Sequence, residues 1–160
     1  MSVAFVKEES AETAAETQLP ERTVSQHPNL VTEAGLKLLE EQMKAARSAH
    51  EVANAIEDVN ERRRQTSPHL RDMRYLAERL RTAQLMPTPE SSDIVSFGST
   101  VTFIREDGRV QSYRIVGEDE ADPKAGSISY VSPVARALNG KAVGDTATVG
   151  GQELEITDIQ

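Results

Sequence analysis

Leu36, Leu39, Met43, Ala46, His50 and Ala53 recur at alternating spacings of three and four residues, and a second such seam runs through Leu70, Met73, Leu76 or Ala77, Leu80 and Ala83. This spacing draws a narrow apolar stripe along one side of a helix, the seam of a coiled coil rather than the broad face of a globular helix. Two seams joined by a polar run predict an antiparallel helical hairpin, with Leu36 beside Ala83, Leu39 beside Leu80 and Met43 near Leu76. Thr32 is placed to cap the outgoing helix, and Glu33 sits favourably in its first turn. Ser67-Pro68 has the form of a cap and a first helical residue, so the returning helix is expected to start there. Residues 51–67, EVANAIEDVNERRRQTS, are then left to build the far end, with Ile56 and Val59 extending the outgoing helix or forming a small turn.

Acids and bases are segregated at that far end. Glu57, Asp58 and Glu61 form a candidate acidic tip, followed by Arg62, Arg63 and Arg64. Basic charge continues down the returning helix in Arg71, Arg74, Arg79 and Arg81, giving a candidate basic face centred on Arg62, Arg63, Arg64, Arg71 and Arg74. A solvated face with local pairs such as Asp58 with Arg62 accounts for the same pattern, and both readings stay open. The net charge of −8 argues against a chain that binds nucleic acid on its own, because phosphate neutralisation needs a basic surface.

Other chemistry is thinly provided for. The absence of cysteine excludes disulfides and thiolate metal sites, and His27, His50 and His69 are scattered, without metal-ligand spacing. No Gly-rich phosphate loop, nucleophile elbow or zinc-binding helix occurs, so the expectation is an accessory protein without an active site, intrinsic metal or cofactor. No run approaches the ~20 apolar residues that span a bilayer, and the N-terminus lacks the basic-then-apolar pattern of a signal peptide. The chain reads as soluble, cytoplasmic, monomeric and without a membrane partner.

The remaining segments divide by composition. Residues 1–29 carry Glu8, Glu9, Glu12, Glu16 and Glu21 with few large apolar side chains, and read as a disordered acidic tail with nascent helix from Ala11 to Gln18. The hairpin occupies 30–86, and a stiff linker containing Pro87 and Pro89 covers 87–93. Beyond it, Ile94 to Ile104 and Val110 to Val116 alternate as antiparallel strands around the turn Glu106-Asp107-Gly108-Arg109. An acidic loop, 117–126, leads to a short strand at Ile128 and Tyr130, and then to a helix from Pro133 to about Leu138, capped by Ser132 and stopped by Asn139-Gly140. Gly144-Asp145 turns the chain into a closing hairpin, Thr146 to Val149 and Leu154 to Ile159, turned by Gly150-Gly151. The fold class is therefore α+β, a helical hairpin followed by an antiparallel sheet domain of about five strands with one short helix over 94–160.

FGSTVTF at 97–103, YRIVGEDEAD at 113–122, ISYVSPVARALNGKAVGD at 128–145 and the closing strand together resemble the C-terminal domain of the bacterial Gre transcript-cleavage factors. At lower specificity the likeness extends to the hairpin through Leu36 to Glu41 and Leu76 to Leu85. It implies an FKBP-like sheet domain that docks on RNA polymerase at the rim of its secondary channel, while the hairpin enters the channel. Nucleic acid would be met only within the transcription complex. By the same resemblance the docking surface includes Asp119, Glu120, Asp122, Pro123, Ser132 and Pro133, and two tip acids would help hold a Mg2+ of the polymerase active site. Family tips carry a stretch like Gly-Asp-Leu-x-Glu-Asn-Ala-Glu-Tyr, which this sequence lacks, and its hairpin is several turns shorter. Losing roughly seven residues from each arm withdraws a tip by on the order of 10 Å. The expected function is modulation of elongation or transcript cleavage, the alternative being a non-cleaving antagonist or Rnk-like regulator. A peptidyl-prolyl isomerase or chaperone is the remote alternative. Phe97, Phe103, Tyr113 and Tyr130 are the only aromatics that the sheet domain offers to line a proline pocket. A coiled-coil adaptor for an unrelated protein would make the C-terminal motifs coincidental.

Overall fold

The computed structural model describes residues 19–160; the nascent helix expected at 11–18 and the rest of residues 1–18 lie outside them. The chain divides into two compact units. The described part of one comprises residues 19–24 and 39–81; the other comprises residues 25–38 and 82–160. This division differs from a cut at a linker over 87–93, because the start of the outgoing helix and the residues flanking it belong with the sheet.

The first unit contains most of α1 (Glu33–Asn54) and of α2 (Val59–Thr82), joined through four residues, 55–58. Leu39, Met43, Ala53 and Leu76 are buried as the seam requires. Ala49 with His69, and Ala45 with Asp72, line shared hollows, which agrees with the expected pairing of Met43 near Leu76. Two expectations fail. Leu70 is 37% exposed and leaves the seam. The returning helix does not begin at Ser67-Pro68: it starts eight residues earlier in sequence numbering, at Val59, with Pro68 in its interior. Asp58 supplies the cap, its Oδ1 accepting the Glu61 N–H at 2.8 Å. A helical proline removes a donor and crowds the preceding turn. In that turn Thr66 Oγ1 donates to the carbonyls of Arg62 (2.8 Å) and Arg63 (3.3 Å), so the helix carries through.

In the second unit, β1 (Leu30–Val31) pairs in parallel with β2 (Gln84–Leu85), a pairing that local sequence pattern does not announce. The main sheet has five strands: β3 (Thr100–Arg105), β4 (Val110–Val116), β5 (Ser127–Ser129), β6 (Thr146–Val149) and β7 (Gln152–Ile159), in the order β5-β4-β3-β7-β6. β3–β4, β3–β7 and β6–β7 are antiparallel, but β4–β5 is parallel, because the 117–126 segment crosses over instead of turning back. The first strand begins at Thr100, not Ile94. Gly98, at φ 88°, breaks the extension, and Val95 exchanges hydrogen bonds with the residues after the short helix, its N–H reaching Lys141 O and its carbonyl accepting Gly140 N–H, both at 2.8 Å. A bulge opposite Thr102 and Phe103 resets the inward face of β7, which explains why Leu154, Ile156 and then Ile159 are buried without strict alternation.

The short helix α3 (Pro133–Leu138) forms as its sequence predicts, with Ser132 Oγ accepting the Ala135 N–H and Pro133 in the first turn. Its Ala135 and Leu138 close over Val101, Phe103, Ile115, Ile128, Leu154 and Ile156 to complete the core. Core burial of this kind contributes about 25 cal/mol per Å2 of apolar area removed from water.

Candidate functional site

Within the second unit, the acidic loop expected to dock is divided between an inward half and an outward half. Glu120 turns inward. Its Oε1 accepts the Thr32 hydroxyl at 2.5 Å, and Thr32 Oγ1 in turn accepts the Gly35 N–H at 3.0 Å. The loop thus reaches the first turn of α1, where a carboxylate is favoured by the helix dipole. Two glycines make the approach possible. A Cβ on Gly35 would lie 2.4 Å from Glu120 Oε2, and one on Gly117 would lie 2.3 Å from the Leu30 carbonyl oxygen. Nearby, Tyr130 donates its hydroxyl to the Pro28 carbonyl, and Arg136 contacts His27 at 3.4 Å.

The outward half holds Asp122 and Pro123. Asp122 organises its turn from three sides: its N–H donates to Ser127 Oγ at 2.9 Å, its Oδ1 accepts the Lys124 N–H at 3.2 Å, and its carbonyl accepts the Ser127 N–H at 3.1 Å. Pro123 opens a 3-10 turn over Pro123–Ala125 that ends at Gly126 with φ 94°. Asp122, Pro123 and Pro133 are exposed, whereas Asp119 and Ser132 are half-buried. Among the expected docking residues, Asp122 and Pro123 therefore share one exposed turn. Glu120 serves as a brace, and Ser132 chiefly caps α3.

An open groove of about 430 Å3 in the same unit is lined by Thr32, Lys37, Leu85, Met86, Phe97 and Arg114 among others. Phe97 is the one aromatic lining it and stands edge-on to Tyr130 with ring centroids 5.8 Å apart, while Phe103 is fully buried and packs against Tyr113.

At the hairpin tip, the three candidate acids have different surroundings. Asp58 caps α2. Glu61 takes a fork from Arg64, Nε at 3.2 Å and Nη2 at 2.7 Å, and accepts Gln65 Nε2 at 2.9 Å. The Arg64 bond first, and then that from Gln65, hold the Glu61 carboxyl below its ordinary value. Glu57 is exposed on the turn. Arg62 Nη1 donates to the Ile56 carbonyl at 3.0 Å, which ties the turn to α2. A metal ion held through Asp58 Oδ1 or Glu61 would compete with the helix cap or the arginine fork.

The basic face is narrower than the sequence suggests. Arg79 is 1% exposed and belongs to the interior. Arg81 forks onto Glu78, with contacts of 2.9 and 2.5 Å. Arg63 remains exposed, while Arg71 and Arg74 lie beside residues 21–22, which therefore do not run as a free tail. Arg74 engages Glu21 through Nε at 3.0 Å and Nη2 at 2.7 Å, and Arg22 pairs with Asp72 at 3.2 Å while its guanidinium lies 3.8 Å over the Tyr75 ring. The Arg74 bond holds the Glu21 carboxyl below its ordinary value, with the charges of Arg74 and Arg71 adding to the effect. Sequence reasoning missed both this strap and the Thr32–Glu120 brace. Gly35 inside a helix and Gly117 at the end of a strand were the available signals for the brace.

Comparison with known proteins places the similarity in the sheet domain. Residues 90–160 match the family model described as transcription elongation factor GreA/GreB, C-terminal. A transcription elongation factor GreA of Beijerinckia indica is 43% identical over 90 residues, 52% of this chain and 57% of that protein. A GreB of Neisseria meningitidis is 38% identical over 96 residues, covering 56% and 59%. The chain thus spans rather more than half the length of these two relatives, and 48% of a GreA from Maricaulis maris that is 50% identical over 76 residues. Among solved structures, GreA factor homolog 1 of Thermus thermophilus is 22% identical, covering 84% of this chain and 99% of that one, with a TM-score of 0.40.

Proposed function

We propose that the chain is a member of the GreA/GreB transcription elongation factor family, whose C-terminal model its residues 90–160 match, and that it binds RNA polymerase near the secondary channel and modulates elongation. The observation that carries this reading is the match over 90–160, which includes the exposed Asp122-Pro123 turn and the Ser132-capped helix. Polymerase contact would come from that turn, fixed from within by Asp122 and braced against α1 by Glu120. The hairpin is the arm presented to the channel.

A second observation favours a non-cleaving member over a cleavage factor. Completing a metal site in another protein requires carboxylates that are free to turn toward the ion. Here turning toward an ion would cost Asp58 its cap on α2 and Glu61 its contacts with Arg64 and Gln65, a competition that weakens metal binding at the tip without forbidding it, and Glu57 is the remaining exposed acid of the turn. Occupation of the channel without cleavage would make the chain a competitor of cleavage-competent factors. Co-migration with core polymerase at micromolar concentration, weakened by Asp122→Ala or Pro123→Ala, tests the docking; failure to co-migrate overturns it. Cleavage in halted elongation complexes distinguishes the two activities, because a cleavage factor would lose activity in the Glu57→Ala, Asp58→Ala double variant.

A further inference from the structure

The contacts of Glu21 and Arg22 point to a device that local sequence does not reveal. They alternate in sign, acid onto Arg74 and base onto Asp72, and the planar guanidinium of Arg22 lies against the Tyr75 ring. All of the partners fall within one turn of α2, from Asp72 to Tyr75, with Arg71 adding its field to Glu21. Two consecutive residues therefore satisfy a carboxylate site, a guanidinium site and a ring face together. These contacts are also exposed, Glu21 and Arg74 remaining 62% and 54% accessible. Exposed ion pairs are weak and screened by salt, so the cover can be exchanged for another ligand at little cost.

We propose that residues 19–22 are a displaceable strap, which covers the Arg71–Tyr75 face of the hairpin until an extended segment of the polymerase bearing an acid next to a base takes its place. The fit is to a peptide rather than to a nucleic-acid backbone. Asp72 sits between Arg71 and Arg74, where it would repel a run of phosphates but suits a mixed-charge peptide. This inference rests on the docking reading above, and deepens it by adding self-competition. A face available only a fraction of the time weakens the apparent affinity by that fraction.

The test uses the full chain and its Glu21→Gln, Arg22→Ala variant, with fluorescence anisotropy against core RNA polymerase and the NMR resonances of the Arg74 Nε–H and the Tyr75 ring as an independent readout of the strap. The expected result is a shift of both resonances in the variant, together with polymerase affinity raised on the order of threefold or more. Equal affinity with the resonances shifted would overturn the strap's role while leaving docking intact. Failure of both chains to bind would overturn the docking reading itself, and the strap's role with it. A 20-nucleotide single-stranded RNA, added to the wild type without polymerase at micromolar concentration, should leave both resonances at their wild-type positions. Their movement to the variant's positions on adding that RNA would overturn the assignment of a peptide occupant.

Discussion

The base of the hairpin and its tip use the same residue types to opposite ends. At the base, Glu120 meets Thr32 and the first turn of α1 in a place so close-packed that neither Gly35 nor Gly117 has room for a Cβ. At the tip, Asp58, Glu61, Arg62 and Arg64 are bound to one another's helix or turn on an open surface, where any contact can be exchanged for water. Acidic residues in the first setting define geometry; in the second they stabilise a turn and remain replaceable. Enrichment of carboxylates along a sequence does not distinguish the two.

That contrast can be broken most forcefully at Gly117. Gly117→Ala drives a methyl into the backbone carbonyl of Leu30, which has no flexible end to move aside. Overpacking of this kind costs typically about 1–3 kcal/mol, so thermal unfolding should show a lowered midpoint. An unchanged midpoint would mean that β1 and the end of β4 are not held as tightly as the distances require. Thr32→Ala should follow, removing both the cap of α1 and the hydroxyl donor to Glu120, at about 0.5–2 kcal/mol. Combined with Glu120→Ala in a double-mutant cycle, it should fall short of the sum of the single effects; strict additivity would separate the cap from the brace.

Asp58→Ala probes the tip alone. Losing that cap should cost about 0.5–2 kcal/mol at the start of α2, visible as reduced helical circular dichroism without a change in the sheet domain. The smallest effect concerns the strap. Glu21 lies below its ordinary carboxyl value of 4.5, so its contribution is complete above that pH and is lost as pH falls through the lowered folded value. The NMR resonances of the Arg74 Nε–H and the Tyr75 ring should therefore hold their positions between neutral pH and about pH 4.5, and move toward those of the Glu21→Gln, Arg22→Ala variant on acidification below it.

What the sequence reveals and what it hides follow the range of the interactions. Ser132-Pro133 and Gly150-Gly151 are read correctly because a cap and a tight turn are decided within four residues, and α3 and the β6–β7 hairpin form where expected. The start of α2 is misread because Ser67-Pro68 satisfies the same local rule, while the actual cap, Asp58, stands in a run of acids that suggested a different role. The parallel β4–β5 pair, the β1–β2 pair and the strap depend on partners from about a dozen to more than fifty residues apart, for which no local pattern exists. The seams fared better in α1 than in α2: Leu39, Met43 and Ala53 are buried, but Leu70 faces solvent and Arg79 is inside. At the candidate site, the 117–126 segment that carries Asp122-Pro123 was legible as an acidic loop. The inward course of Glu120 was not, since its partner, Thr32, lies 88 positions earlier.

The most direct test is a competition on halted, backtracked elongation complexes, in which a cleavage-competent GreA acts while this chain is titrated in. A non-cleaving occupant of the channel gives no cleavage by itself and progressively suppresses GreA-dependent cleavage, with the suppression weakened by Pro123→Ala. Stimulated cleavage that disappears in the Glu57→Ala, Asp58→Ala variant, or GreA activity indifferent to micromolar chain, would contradict that role.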